Sequence, residues 1–250
     1  MMRPPLWIAG ASGFILAQPL VAQHPRAANP ERPTVATHAY AVAPGYIELE
    51  QGLSARGRTS LREQTSWDLN LKIGITPHVQ LGLFGPAYLR SDDGVGTGDF
   101  GLALKIRGEL SPAVAVAVVP AVSAPTGSAA KGLGAGRALA SLVGVVSAEL
   151  GGGIHFDVNA GPTGLGAGTP QWFGSVGLSR AFGRLSLATE LFAFASGGAG
   201  AAQRGALGSV LVTLAEWAVA DVGGVMGLSD GSPDQVFVGL TTNFGAIVHR

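Results

Sequence analysis

The chain has 250 residues, and its 16 Lys and Arg balance 16 Asp and Glu to a formal net charge of zero, which removes the electrostatic case for a nucleic-acid partner. Only 13% of residues are charged, against about a quarter in a soluble domain, mean hydropathy is +0.35, and the 39 glycines argue against long helices. Cysteine is absent, which excludes a disulfide framework, a Cys-based metal site and an acylated lipoprotein cysteine.

Residues 1–5 carry one positive charge, Arg3, and residues 6–22 are mostly apolar. This is the pattern of a secretory signal peptide (1–22) cut near Ala22 or Gln23. An N-terminal membrane anchor is disfavoured, because the run is short and interrupted by Gly10, Gly13, Gln18 and Pro19. No later segment offers about 18 uninterrupted apolar residues outside a strand-like context, so a membrane crossing by the mature chain requires a closed barrel. Residues 23–44 form a polar extension with Pro25, Pro30, Pro33 and Pro44. It reads as an extended leader that stays in the periplasm or enters the barrel; both remain open.

Residues 46–53 alternate, with Ile47, Leu49 and Leu53 facing outward and Tyr46, Glu48 and Glu50 inward. A polar, basic loop follows at 54–65. Residues 67–85 make the clearest hairpin. Trp67, Leu69, Leu71 and Ile73 share one face, Asp68, Asn70, Lys72 and Gly74 the other, and Thr76-Pro77-His78 turns the chain into a second alternating run. A loop is predicted over 88–97 around Asp92-Asp93-Gly94. The next strand spans 98–110, with Phe100, Leu102, Leu104 and Ile106 outward and Asp99, Lys105, Arg107 and Glu109 inward. Residues 113–123 are apolar, and Pro120 there predicts a bulge or a rim position. A Gly-rich loop (124–138) leads to a strand at 139–150, and Gly151–Gly153 turns it into 154–161, with His155, Asp157 and Asn159 inward. Further strands follow at 171–181, 185–195 with Glu190 inward, 205–216, 218–228 with Asp221 inward, and 234–244.

The sum is about twelve strands, each near the ten residues that a tilted membrane-crossing strand needs. Their connections alternate between long and short. That sorting, with an even strand count, matches an up-and-down transmembrane antiparallel β-barrel (45–250) and not a Greek-key sandwich. Trp67, Tyr88, Trp172, Phe182, Trp217 and Phe244 lie near strand ends, where interface girdles sit. The inward set is Glu48, Glu50, Asp68, Lys72, Asp99, Lys105, Arg107, Glu109, His155, Asp157, Glu190 and Asp221. These side chains either brace the barrel by ion pairs or form a polar constriction that selects a solute. On strand phase alone, Lys105→Ala should alter ion selectivity with little loss of folding. Catalytic signals are weak: His155 and Asp157 share a face, but no nucleophile motif, P-loop, dinucleotide fingerprint or metal-ligand spacing is present.

Several short runs, in order, resemble one family: Pro44-Gly45-Tyr46-Ile47-Glu48-Leu49-Glu50-Gln51-Gly52, Gly74-Ile75-Thr76-Pro77-His78, Gly96-Thr97-Gly98-Asp99-Phe100-Gly101, Ala124-Pro125-Thr126-Gly127 and Asp234-Gln235-Val236-Phe237-Val238-Gly239-Leu240. Together they are similar to the bacterial outer-membrane transporters described as "MetA-pathway of phenol degradation" proteins. The resemblance covers nearly the whole mature chain. It implies a porin-like barrel in the outer membrane of a Gram-negative cell, taking up small aromatic or apolar compounds. The C-terminus departs from the pattern, since 246–250 continues past Phe244.

Three functions fit. The first is a channel for passive uptake of small solutes, with no cofactor and no catalysis, both termini in the periplasm, and the barrel-assembly machinery and outer-membrane lipids as partners. The second is a barrel enzyme acting on lipid or lipopolysaccharide, which requires a Ser/His/acid cluster near one rim. The third is a non-conducting binding or structural barrel plugged by residues 24–44.

Overall fold

The computed structural model describes residues 24–61 and 63–246. The signal-peptide reading of 1–22 and the tail at 247–250 fall outside the described residues.

The chain forms β1 (Tyr46–Gly57), β2 (Gln64–Thr76), β3 (Val79–Ser91), β4 (Gly94–Gly96), β5 (Gly101–Ser111), β6 (Val114–Ser123), β7 (Leu139–Gly151), β8 (Ile154–Thr163), β9 (Gln171–Phe182), β10 (Leu185–Phe194), β11 (Gln203–Ala215), β12 (Ala218–Gly227) and β13 (Asp234–Ala246), with one 3-10 turn at Ala129–Lys131. Each strand is antiparallel to its neighbours. β1 pairs with both β2 and β13, and β3 pairs with both β2 and β5, so twelve strands close on themselves. β4 is an extra three-residue strand folded back on the end of β3.

The alternation in sequence becomes an inversion of the usual core. Leu53, Leu102 and Val238 are 58%, 49% and 51% exposed, while Glu48, Lys72 and Thr241 are fully buried. Buried polar groups and exposed apolar ones are the informative departures from a soluble protein, and here they follow strand phase all round the wall. The six strand-end aromatics expected to form girdles are all exposed. Trp67, Tyr88 and Trp172 lie toward one end of the barrel, and Phe182, Trp217 and Phe244 toward the other. Among the described residues, no helix is long and apolar enough to cross a membrane.

Loop lengths sort as expected. The short turns at 77–78, 112–113, 152–153, 183–184 and 216–217 share one end with the start of β1 and the end of β13. At the β7–β8 turn, Gly152 and Gly153 take φ of 61° and 73°, a left-handed conformation that is strained for other residues.

Three boundaries differ from the sequence reading. β1 runs on to Gly57, and β3 continues through Ser91 before Asp92-Asp93 turns it into β4, so most of the predicted 88–97 loop is strand and hairpin. Beyond the apolar belt both faces of a strand are wet, so alternation fades although pairing continues. β5 begins at Gly101 rather than 98, because Gly98 donates its N–H to the Pro86 carbonyl in a loop. Pro120 makes neither a bulge nor a rim. It sits within β6, opposite Leu142 of β7, and the β5–β6 register is the same on both sides of it. Only the pairing of 104 with 120 and of 105 with 119 is lost, as follows from a residue with no N–H to give.

Candidate functional site

The lumen is filled by the N-terminal segment, residues 24–44. It enters at the short-turn end, where Ala28 donates its N–H to the Glu216 carbonyl at 2.8 Å and Arg26 lies over the Trp217 ring. It rises to a tip near Pro33–Val35 and returns, and Gly45 donates to the Gly74 carbonyl at 2.7 Å as β1 begins.

The backbone of this segment cannot join a ladder, because the wall has spent its own backbone groups on closure. Its buried N–H groups must therefore find side chains. Those side chains are the inward residues of the wall. Asn29 N–H donates to Glu48 Oε2 (2.7 Å), Glu31 N–H to Glu50 Oε1, and Val35 and Ala36 N–H to the two oxygens of Glu190 (2.8 and 3.0 Å). On the return, Thr37 N–H donates to Asn159 Oδ1 (3.2 Å), Ala39 N–H to Ser147 Oγ (2.8 Å) and Val42 N–H to Gln80 Oε1 (2.8 Å).

Ion pairs complete the hold. Lys72 Nζ lies 2.6 Å from Glu48 and 2.7 Å from Glu50, and donates to the Asn29 carbonyl at 2.8 Å. Lys105 Nζ reaches Glu31 of the segment at 2.6 Å, Thr37 Oγ1 at 2.9 Å and the His38 carbonyl at 2.7 Å. Arg32 Nε lies 3.5 Å from Asp221 Oδ2. Each of these three cations thus has a carboxylate partner, while Glu190 is held by backbone N–H groups.

Near the short-turn end, His155 sits between Glu149 and Asp157, each 2.9 Å from a ring nitrogen. The Tyr40 ring lies between those of His38 and His155, and its hydroxyl donates to Glu149 at 3.4 Å. Ser147 Oγ donates to Asp157 and accepts from the segment. The serine engages the carboxylate and not the imidazole, so the cluster lacks the nucleophile–base contact that covalent catalysis uses. Among the described residues, no group of three or more His, Asp and Glu is arranged to hold a metal ion.

Of the twelve predicted lumen residues, the structure gathers Glu48, Glu50, Lys72, Lys105, Glu190 and Asp221 around the segment. Asp68 accepts from Ser66 on the inner wall toward the long-loop end, and His155 and Asp157 belong to the rim cluster. Arg107 and Glu109 pair at 2.7 Å at the short-turn mouth, with Glu109 largely exposed. Asp99 is not in the lumen. It lies outside β5 and accepts the N–H groups of Gly127 and Ala135 at 2.9 and 2.7 Å, tying two long-end loops together. It shares the parity of Lys105 but precedes the strand, which starts at Gly101. The sequence reading missed Glu31, Arg32, Gln80 and Glu149. The signal for the first two is a charged pair held between Pro30 and Pro33; for Glu149 it is the phase it shares with Ser147.

Beside the tip, a cavity of about 360 Å³ remains between the segment and wall residues running from Glu50 of β1 round to Phe173 of β9. Phe84, Val119, Val143 and Phe173 supply its apolar lining, and Glu31, Arg32, Glu50, Lys105 and Asn159 are among its charged and polar lining. Its size falls at the lower end of small-molecule sites.

A closed twelve-stranded antiparallel barrel with an apolar exterior, a polar lumen and loops sorted by length is a β-barrel of the outer-membrane type. Among solved structures, the chain is similar to the COG4313 outer membrane channel from Pseudomonas putida F1, at 15% identity over 85% of this chain and 100% of that one, with a TM-score of 0.66. It is also similar to the KdgM porin in complex with disordered oligogalacturonate (6% identity, 79% and 99% covered, TM-score 0.60) and to the NanC porin (6%, 78% and 98%, 0.57). No family model matches the sequence, and no curated protein matches it. At these identities the likeness establishes the fold, and the proteins that share it here are channels and porins rather than enzymes.

Proposed function

We propose that this protein is an outer-membrane channel for passive entry of small, uncharged, largely apolar solutes, aromatic compounds among them, and that residues 24–44 are the plug that sets its bore. The carrying observation is the lumen itself: the space left beside the segment has an apolar side of Phe84, Val119, Val143 and Phe173, and the cations that also line it, Arg32 and Lys105, are each paired with a carboxylate. A lumen with no free charge facing the cavity offers little to an ion and more to an apolar ring. Outer-membrane barrels keep tight turns on the periplasmic side, which puts both ends of this barrel there and brings the segment in from the periplasm. The names of the structural neighbours support a channel, and the resemblance to the phenol-degradation transporters supports an aromatic solute.

The test is the full mature chain refolded into planar bilayers and into liposomes. Small, discrete conductance steps are expected, with faster entry of phenol or benzyl alcohol than of a sugar. A folded, heat-modifiable barrel that neither conducts nor admits any solute overturns the channel and leaves a plugged binding barrel, the reading favoured by the seven backbone bonds that hold the segment.

A further inference from the structure

The tip of the segment carries one cation, Arg32, and its seat is made of glycine. Gly52 of β1 stands opposite Gly239 of β13, and Gly239 stands opposite Asp221 of β12, so the three form one row across the inner wall. A Cβ on Gly52 would run into the Arg32 guanidinium. A Cβ on Gly239 would lie 2.5 Å from both Arg32 Nε and Asp221 Oδ2. The row is therefore a slot two strands wide, closed at its end by a carboxylate. The Phe237 ring, 6.0 Å from the guanidinium carbon, forms an adjoining wall. Asp221 is 4% exposed, its second oxygen has no hydrogen-bond partner, and Arg32 Nε, 3.5 Å from the first, has none either, so the contact is an ion pair with donor and acceptor capacity left over. The site thus has acceptors to spare for a planar, multi-donor cation.

We infer that the Gly52–Gly239–Asp221 row is a guanidinium receptor, and that Arg32 seated in it is the positioning residue that latches the tip of the N-terminal segment inside the barrel. This rests on the reading of residues 24–44 as a plug, and adds which contact holds it. Beyond Arg32, the tip is held by the Val35 and Ala36 N–H groups, which any extended segment presents, and the Glu31 side chain before it is held by Lys105. Arg32 in its slot fixes which residue sits at that level of the lumen. Lysine would not replace it, since a compact ammonium lacks the planar width that fills the space over Gly52 and Gly239.

The test uses the absence of cysteine from the sequence. A single Ala36→Cys in the full mature chain reports how often the tip leaves the wall, through its rate of labelling by a membrane-impermeant maleimide. Arg32→Ala, Arg32→Lys, Asp221→Asn and Gly52→Ala should each raise that rate by about tenfold or more, because each breaks or blocks a buried ion pair. Arg32→Ala combined with Gly52→Ala should label no faster than either alone, since both act on one contact. Heat-modifiable migration on a gel checks folding in every case. A Gly52→Ala barrel that folds only when Arg32 is also replaced supports the slot equally. Labelling of the Gly52→Ala protein at the parent rate, or independent multiplication of the two effects, overturns the latch. Labelling does not depend on conduction. A barrel that labels as expected but never passes a solute keeps the latch and loses the channel.

Discussion

Lys72 shows how much one side chain does in this lumen. It is fully buried between Glu48 and Glu50, with Glu31 at 3.8 Å. Lys72→Met removes the cation that faces Glu48 and Glu50, and breaking a buried pair from one side costs about 3–5 kcal/mol. A lowered urea midpoint of the bilayer-inserted barrel, followed by tryptophan fluorescence, is the expected result. Lys105 behaves differently from what strand phase suggests. Its four acceptors all lie on the segment, so Lys105→Ala should free the segment rather than retune a pore wall. At the long-loop end, Glu63 makes a contrasting, solvent-exposed anchor. Its carboxylate accepts from the Thr59 hydroxyl and from the N–H groups of Arg58 and Thr59, and these bonds pull its pKa from 4.5 to about 2. A depressed carboxylate pKa favours the closed loop fully above about pH 4.5, and the contribution is lost as pH falls through about 2. An NMR titration of the Glu63 carboxyl should find that low midpoint, and Glu63→Gln should speed tryptic cleavage at Arg58 at neutral pH.

Strands here obey two rules that meet at β5 and β6. The outer face must suit lipid, and Leu102 is 49% exposed on it. Leu102→Arg should cost about 2–4 kcal/mol at midplane, read as loss of heat-modifiable folding in bilayers. The second rule is that every backbone group in the wall needs a partner, and Pro120 breaks it once. Pro120→Val keeps the apolar outer face and returns the missing N–H to the β5 side. It should stabilise the barrel by about 0.5–1.5 kcal/mol, the net value of one hydrogen bond, as a raised urea midpoint. An unchanged or lowered midpoint would mean that the strands have relaxed around the proline and that its ring is part of the packing. The wrong expectation of a bulge came from treating proline as a disruption of register. Here the ladder simply skips one bond and keeps count.

For the whole molecule, the wall and the segment are one system. The wall supplies acceptors at the levels where the segment presents N–H groups, and the segment's Glu31 and Arg32 pair with Lys105 and Asp221, buried charges of the wall. Glu190 serves two of those N–H groups, and charge-assisted bonds of this kind contribute about 1.5–3 kcal/mol each. Glu190→Ala should therefore raise conductance while heat-modifiability persists, a separation that a purely structural role for the residue would not give.

Period-two alternation, an even strand count, sorted loop lengths and end-placed aromatics determined the barrel and its hydrophobic exterior, because those properties are local: each is fixed by a residue and its near neighbours along one strand. Asp99 failed at a strand end, where both faces are wet and phase carries no information. The position of residues 24–44 was decided only in three dimensions. That segment has no periodicity of its own, and its side-chain hydrogen-bond partners on the wall are 19 to 218 residues away along the chain. What places it is the cross-lumen geometry of a closed barrel whose buried polar side chains have nowhere else to bond.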